Sequence, residues 1–131
     1  MIKRYLTILA IVLIIVGIGI TEQIYLRKTL ASMEQQTLAL QAAIDAAQDN
    51  FVTEENIKAV KKLSAYWEHH RDGYEIFISH VYTMELENKV AVLDTHLYQN
   101  DYLMTSTDLE GILASLDMIR DLITPVPHMI L

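Results

Sequence analysis

The feature that most constrains this chain is an uncharged apolar run near its start. Residues 5–20 read YLTILAIVLIIVGIGI, and after three polar residues the apolar character resumes at Ile24, Tyr25 and Leu26. A helix from Tyr5 to Tyr25 would extend about 30 Å, which matches the hydrocarbon thickness of a bilayer. The sequence therefore predicts a transmembrane anchor over residues 1–26, with the lipid bilayer as a partner of the chain.

The residues that flank this run fit a helix that stays in the membrane. Basic pairs lie before Tyr5 and after Leu26, where long cationic side chains can reach the interfaces. The alternative is a cleaved signal peptide, with Gly17 and Gly19 as small residues near a cleavage site. The chain lacks an Ala-x-Ala motif there, and the helical pattern continues past residue 26. These observations favour a retained anchor.

Charge divides the chain into two unlike parts. Residues 1–28 carry four basic residues and one acidic residue, whereas residues 29–131 carry six basic and sixteen acidic residues, a net charge of −10. Such an acidic segment is a poor partner for nucleic acid, whose binding depends on Lys and Arg at phosphates. The basic start of the chain favours an N-terminus inside the cell. We therefore expect a cell-membrane protein with an extracytoplasmic domain over residues 27–131.

Heptad spacing continues the first helix beyond the membrane. Apolar residues recur at alternating intervals of three and four, which is typical of a helix packed along one face. Asp49-Asn50 ends this pattern, so the helix is predicted to stop at about Gln48, and Thr53 is a preferred N-cap for the next helix. The stripe consists of Leu26, Leu30, Met33, Thr37, Leu40, Ile44, Ala47 and Phe51.

A second, longer stripe passes Asp72-Gly73 without losing its phase. This favours one long helix, straight or kinked at Gly73, over a chain reversal at the Asp-Gly pair. Thr107-x-x-Glu110 matches a capping box for the last helix, and the apolar tail 125–131 is expected to pack back on the domain. The second stripe consists of Val60, Leu63, Trp67, His70, Tyr74, Phe77, Val81, Met84, Asn88, Ala91, Thr95, Tyr98 and Tyr102.

Together these patterns predict an all-α fold. The N-terminal transmembrane helix is followed by an antiparallel helical bundle of three helices, with the middle one long or kinked at Gly73, or of four. The chain contains no cysteine, which excludes disulfides and thiolate metal sites. No catalytic motif stands out, and no two histidines have the helical spacing of a zinc site, so we expect no enzyme activity, no cofactor and no metal.

Four residues are candidates for an interaction or pH-sensitive role. His80 lies beside the predicted stripe with Glu85 about one turn along, so it is either a buried histidine satisfied by a polar partner or a group that titrates near pH 6. Trp67 and Tyr74 lie in the stripe itself, as core aromatics or as part of an exposed docking patch.

The centre of the chain also resembles a known family. The resemblance rests on Trp67, Arg71, the run Phe77-Ile78-x-His80, Glu85, Glu87 and the run to Asn100-Asp101. It is to the bacterial domain-of-unknown-function family numbered 4363, and Val81-Tyr82 stand where that family would have an acidic residue. The resemblance implies a short single-pass protein with an N-terminal anchor and a helical remainder, and it implies no activity.

These observations lead to two functional hypotheses. The first is a non-enzymatic, membrane-tethered helical interaction module or accessory subunit, which binds another membrane protein or a second copy of itself. The alternative is an extracytoplasmic helical bundle that senses a ligand.

Overall fold

The computed structural model of the chain describes residues 1–123, including every side chain except those of Gln48 and Phe77. Residues 1–123 form helices without any strand, which confirms the all-helical prediction. The prediction that the tail 125–131 packs back on the domain lies outside the described residues. The four helices are α1 (Ile2–Ala47), α2 (Glu54–Phe77), α3 (His80–Tyr98) and α4 (Tyr102–Ile123), with a short 3-10 turn at Gln48–Asn50.

Helix α1 has two parts with different surroundings. Residues 1–21 are all exposed, and this part is long and apolar enough to cross a membrane, with a mean hydropathy of 2.3 over 18 residues. The hydroxyls of Thr7 and Thr21 donate to the carbonyls of Lys3 and Gly17 at 2.9 and 2.8 Å, which satisfies them within the helix. From Leu26 onward the predicted stripe is buried, and Leu30, Met33 and Ile44 are fully enclosed.

The end of α1 and the start of α2 lie where the sequence predicts them. α1 ends at Ala47, and the 3-10 turn carries the chain through Asp49 and Asn50. The Thr53 side chain accepts a hydrogen bond from the backbone N–H of Asn56 at 3.1 Å, which confirms Thr53 as the N-cap of α2.

The prediction of one long second helix is partly wrong. Helix α2 does continue through Gly73, whose φ is not positive, so the Asp72-Gly73 pair makes no turn. The helix ends four residues later, at Phe77, because Ile78 and Ser79 adopt extended ψ values of 141° and 136°. The alternative of four helices gives the right number but places the break at the wrong residue.

The break changes which face of the next helix is buried. The predicted stripe residues of α3 are exposed, with Val81 69% and Met84 44% accessible. The buried series is displaced by two residues and keeps the same spacing of three and four, because the break at Ile78-Ser79 resets the helical phase. This series consists of Thr83, Leu86, Val90, Leu93 and Leu97.

The start of α4 also differs from the prediction. The helix begins at Tyr102 instead of after Thr107, and the carboxylate of Asp101 accepts a hydrogen bond from the backbone N–H of Met104 at 3.1 Å. The predicted capping box at Thr107 is therefore wrong. Thr107 lies inside the helix, where its hydroxyl donates to the carbonyl of Leu103 at 2.7 Å.

Contacts between the helices show how α2, α3 and α4 are arranged relative to α1. α1 contacts both α2 and α4, and α3 contacts the same two helices. Near the apolar part of α1, Tyr25 contacts His70 of α2 and Gln23 contacts Ile123 of α4. At the far end, Asp45 accepts a hydrogen bond from Tyr102 at the start of α4. Both α2 and α4 therefore run opposite to α1. The α2–α3 junction lies at the end of the domain nearest to the apolar segment.

Burial in α3 predicts a clear contrast between two substitutions. Leu86→Ala removes a side chain with 0% exposure and should lower the free energy of unfolding by about 2–5 kcal/mol. Met84→Ala alters a side chain that is 44% exposed, and its cost should stay below about 1 kcal/mol. Urea denaturation of residues 21–131, followed by circular dichroism, measures both. If Met84→Ala lowered the free energy of unfolding more than Leu86→Ala, the predicted stripe that continues from α2 would be the buried one.

Candidate functional site

The structure brings together two of the four candidate residues. Trp67 and Tyr74 stack on the face of α2 that meets α1, with ring centroids 5.7 Å apart and planes 20° from parallel. Both side chains are buried, with 1% and 0% exposure. Because burial removes them from solvent, neither ring lies on an exposed patch.

The other two candidates lie apart from this pair and from each other. The His80 side chain is 71% exposed, and its Nδ1 lies 3.4 Å from a carboxylate oxygen of Glu75, the residue five positions before it. Glu85 is exposed on α3. His80 and Glu85 both lie in α3, five residues apart, but the carboxylate beside the His80 ring is that of Glu75, which the break at Ile78-Ser79 brings close from the end of α2.

Aromatic and polar side chains form a cluster where α1 leaves the apolar segment. We call this set the root cluster, because it joins α2 to the first turns of α1 that enter the domain. The ring centroids of Tyr66 and His70 are 4.4 Å apart, and those of Tyr25 and His70 are 5.5 Å apart. Its members are Tyr25 and Thr29 of α1 and Tyr66, Trp67, His70 and Tyr74 of α2.

The hydroxyl of Tyr74 is the buried polar group of the root cluster. It forms a hydrogen bond with the hydroxyl of Thr29, which also lies 3.0 Å from the carbonyl oxygens of Tyr25 and Leu26. Burial raises the pKa of Tyr74 well above its ordinary value, so the phenol stays protonated at any physiological pH. The bond from Tyr74 therefore fixes α2 against one turn of α1 through a hydroxyl chain that remains neutral.

His70 supplies the titratable group of the root cluster. Desolvation by burial lowers the pKa of His70 from its ordinary value, and the electrostatic effect of the neighbouring His69 makes a smaller contribution in the same direction. The neutral ring is therefore favoured in the folded protein, and its Nδ1 can accept a hydrogen bond from the hydroxyl of Tyr25. Protonation would convert that acceptor into a donor and weaken the contact between α1 and α2.

Polar pairs that the sequence analysis missed connect the remaining helices. Arg71 of α2 forms an ion pair with Glu87 of α3, and His96 of α3 contacts the carboxylate of Asp108 in α4. The Asp108 residue is only 8% exposed. A signal for it exists in the sequence, since Asp108 falls at helical spacing among the buried positions Thr105 and Ile112.

The end of the domain farthest from the apolar segment carries exposed apolar side chains. We call it the distal patch, formed by Tyr98, Tyr102, Leu103 and Met104 at the α3–α4 connection. Leu103 is 73% exposed and Tyr98 is 52% exposed. Tyr102 is fixed by two contacts within the domain. Its hydroxyl donates to the carboxylate of Asp45 at 2.7 Å, and the centroid of its ring lies 6.0 Å from that of Phe51. Several exposed large apolar residues close together mark interaction surfaces in soluble domains.

Two grooves lie beside α1 in the domain. One of about 220 Å³ is bordered by Gln36, Leu40, Asn56 and Lys62, and another of about 220 Å³ is bordered by Gly19, Gln23 and Leu122, among other residues. Both are smaller than the roughly 300–1,000 Å³ of ordinary small-molecule sites. Among residues 1–123, no three histidine or carboxylate side chains converge as they would around a metal ion.

Comparison of the chain with protein-family models, with curated proteins and with solved structures gives no match. The resemblance to family 4363 therefore stays a prediction from the residues that carry it. Two of those residues, Arg71 and Glu87, contact each other across α2 and α3.

Removal of the Tyr74 hydroxyl should weaken the attachment of α2 to α1. Tyr74→Phe keeps the stacked ring but deletes the buried hydrogen bond with Thr29 and the longer one, at 3.5 Å, to the carbonyl of Leu26, and Thr29 retains its carbonyl partners. We expect the free energy of unfolding to fall by about 0.5–1.5 kcal/mol, as is usual for one such bond. Tyr98→Phe is the matched control, since its ring is 52% exposed. Equal stability of both variants in urea would show that the Tyr74 bond contributes nothing.

The lowered pKa of His70 predicts a loss of stability in mild acid. Above the unfolded pKa of about 6.5, both the folded and the unfolded states hold a neutral ring. As the pH falls below that value, the unfolded chain takes up a proton that the folded state resists. The free energy of unfolding therefore decreases until the pH has passed through the lowered pKa of the folded state.

His70→Gln tests this, because glutamine keeps an acceptor for Tyr25 but does not titrate. Urea midpoints of residues 21–131 at pH 7.5 and 5.5 should differ less in this variant than in the wild type. His80→Gln, which changes an exposed histidine, is the control and should keep the wild-type difference. If His70→Gln retains the full difference, His70 is not the source of the acid sensitivity.

Proposed function

We propose that this chain is a single-pass membrane protein whose helical domain is a non-enzymatic interaction module. In this proposal residues 1–26 remain in the bilayer as an anchor. The remainder forms an antiparallel bundle of four helical segments outside the cytoplasm, and it binds another membrane protein or a second copy of the chain. The anchor thus confines the domain to one membrane, and the domain presents a surface to its partner.

The observation that carries this proposal is the continuity of α1. A single helix of 46 residues begins in the exposed apolar segment and ends in the core of the domain. Its last 22 residues provide the face on which α2 and α4 pack. A flexible linker would let the domain move freely, whereas a continuous helix fixes both its height and its orientation. That geometry suits a module that presents one surface at a set distance from the bilayer.

Three contacts hold the domain to this helix close to the apolar segment. The root cluster joins α2 through Tyr25 and Thr29, and the side chain of Gln23 donates to the carbonyl of Ile123 at the end of α4 at 2.7 Å. Both sides of α1 are therefore engaged within about two turns. From Tyr25 to Ala47 the helix rises about 33 Å, so the distal patch would lie that far from the interface.

The charge distribution supports the proposed orientation. Lys3, Arg4 and the α-amino group suit a cytoplasmic start, although Arg27 and Lys28 balance the two side chains on the other side of the span. The net charge of −10 over residues 29–131 would be repelled by the anionic lipids of the inner leaflet. A domain outside the cytoplasm avoids that repulsion. Retention of the anchor is supported by the unbroken helix α1, which runs through Gly17 and Gly19 into the domain.

The distal patch is the surface that we assign to the partner. Leu103 and Tyr98 combine high exposure with a rigid support in α3 and α4. An aromatic and aliphatic surface of this kind resembles the centre of protein interfaces, which are poor in charge. A ligand-sensing bundle would need an internal cavity, and the grooves described above are small and lie at the surface. For that reason we place the interaction module ahead of the sensor.

Site-specific photo-crosslinking in native membranes tests the proposal. A photoreactive amino acid at Leu103 should give one discrete adduct in the membrane fraction, and Tyr98→Asp in the same chain should abolish it. The matched position is Lys58, whose side chain is 76% exposed on the outer face of α2 and should give no adduct. The adduct mass separates a second copy from another protein. No adduct at Leu103, or the same adducts at Lys58, would refute a docking role for the distal patch.

A further inference from the structure

The helical domain packs beside α1 as far as the last residues of the predicted membrane span. A Cβ atom on Gly73 would lie 3.3 Å from a ring carbon of Tyr25, so α2 and the ring of Tyr25 meet at this height. On the other side, the end of α4 borders a groove with Gly19 and Gln23. Two helices of the domain therefore come close to α1 at positions that belong to the predicted span.

Helix α2 continues beyond this level toward the membrane. Because α2 runs opposite to α1, residues after Gly73 lie progressively nearer to the apolar segment. Ile76 is three residues farther along, or about 4.5 Å at the rise of an α-helix. The α2–α3 junction at Ile78-Ser79 follows directly, and α3 begins there before it turns back toward the distal end.

Three exposed aliphatic side chains lie on these chain segments. Ile76 is 73% exposed, Val81 is 69% exposed and Leu122 is 53% exposed. We call these three residues the membrane-edge patch. In water they would leave apolar surface uncovered beside the helix that is itself apolar over residues 5–20.

We propose that the membrane-edge patch is immersed in the bilayer interface, so that the domain rests on the membrane surface as well as being anchored to it. The proposal rests on the proposed function, since it requires residues 5–25 to lie in a bilayer. The ligand of this surface is the boundary between lipid headgroups and acyl chains. Helices that lie on membranes bury apolar faces about 5–10 Å into this boundary.

Continuity with the span is the reason to assign lipid as the occupant. If Tyr5 to Tyr25 fill the hydrocarbon core, then the chain segments beside residues 19–25 must lie at its edge, because α1 is one continuous helix. A protein partner would have to exclude lipid that is already present at this height. Asp72, Glu75 and Asp121 are exposed at the same end of the domain, so immersion stops at the hydrated headgroups, where carboxylates keep their water.

Fluorescence quenching by lipid distinguishes this end of the domain from the other. The natural chain lacks cysteine, so a single cysteine can carry an environment-sensitive nitrobenzoxadiazole probe at any position. The full chain is reconstituted in phosphatidylcholine nanodiscs that contain phospholipid with a nitroxide on the upper acyl chain, and for the mid-span probe also in nanodiscs with the nitroxide near the end of the acyl chain. Single probes are placed at Ile14 in the apolar segment, at each of Ile76, Val81 and Leu122 in the membrane-edge patch, and at Leu103 in the distal patch. Leu103 is a matched control, because its exposure of 73% equals that of Ile76.

Immersion predicts a blue-shifted emission and strong quenching at Ile76, with Val81 and Leu122 behaving alike, and neither effect at Leu103. If Ile14 is quenched but Ile76 matches Leu103, the immersion proposal is overturned and the anchor stands. If Ile14 itself is not quenched, the anchor fails, and both the immersion proposal and the proposed function fail with it. Equal quenching at Ile76 and Leu103 would mean that the whole domain lies on lipid, which also contradicts contact at one end.

Discussion

The architecture depends on one long helix, α1, whose first part is fully exposed and whose second part has a buried face. Over residues 1–21 every side chain of α1 faces outward, and only five residues later the same helix has a buried face that the other helices cover. A helix can do this because its backbone hydrogen bonds are internal, so its surroundings can change along its length without a break in the helix. The remaining helices are positioned relative to that single axis.

The change of surroundings explains where the polar contacts between α1 and α2 occur. Leu26 is the first buried residue of α1, and the bonds of Tyr25 and Thr29 to α2 lie on either side of it. Here α1 needs a side chain that tolerates both environments, and tyrosine and threonine combine apolar surface with one hydroxyl. Farther along, α4 is attached by the ion pair of Arg120 with Glu34 and by the hydrogen bond of Tyr102 to Asp45. The attachment is thus distributed along the whole buried half of α1.

The sequence predicted the parts of this fold that depend on strong local signals. The stripe from Leu26 to Ile44 and the N-cap at Thr53 were both recognisable, since each rests on residue types with one favoured placement. The register of α3 was not, because two stripes of equal spacing occupy the same residues. The continued stripe required Asn88 in the core, whereas the actual stripe buries Leu86 and Leu93.

The break that selects the second stripe has little signature in the sequence. Ile78-Ser79 contains neither glycine nor proline, and the more suggestive Asp72-Gly73 is helical. The missed contacts have the same origin. His80 meets Glu75, and Arg71 meets Glu87, because the chain turns between them. Such pairs depend on tertiary packing, so they cannot be found from helical spacing alone. Trp67 and Tyr74 were found because both lie within one helix, seven residues apart.

Charge bears on which of the two classes of partner the distal patch can accept. Two copies that meet through this patch would bring together two domains that each carry a net charge of −10 over residues 29–131. Several of the acidic side chains already have partners within the domain, including Glu34, Glu87 and Asp108, and these partners offset only part of the acidic surplus.

At physiological ionic strength, charges are screened beyond about 8 Å, so the repulsion between two copies would act mainly between groups close to the contact. A neutral or basic partner meets no such opposition and would gain from attraction during encounter. If the distal patch is a docking surface, as proposed, the electrostatics of the domain favour a neutral or basic protein over a second copy as its partner.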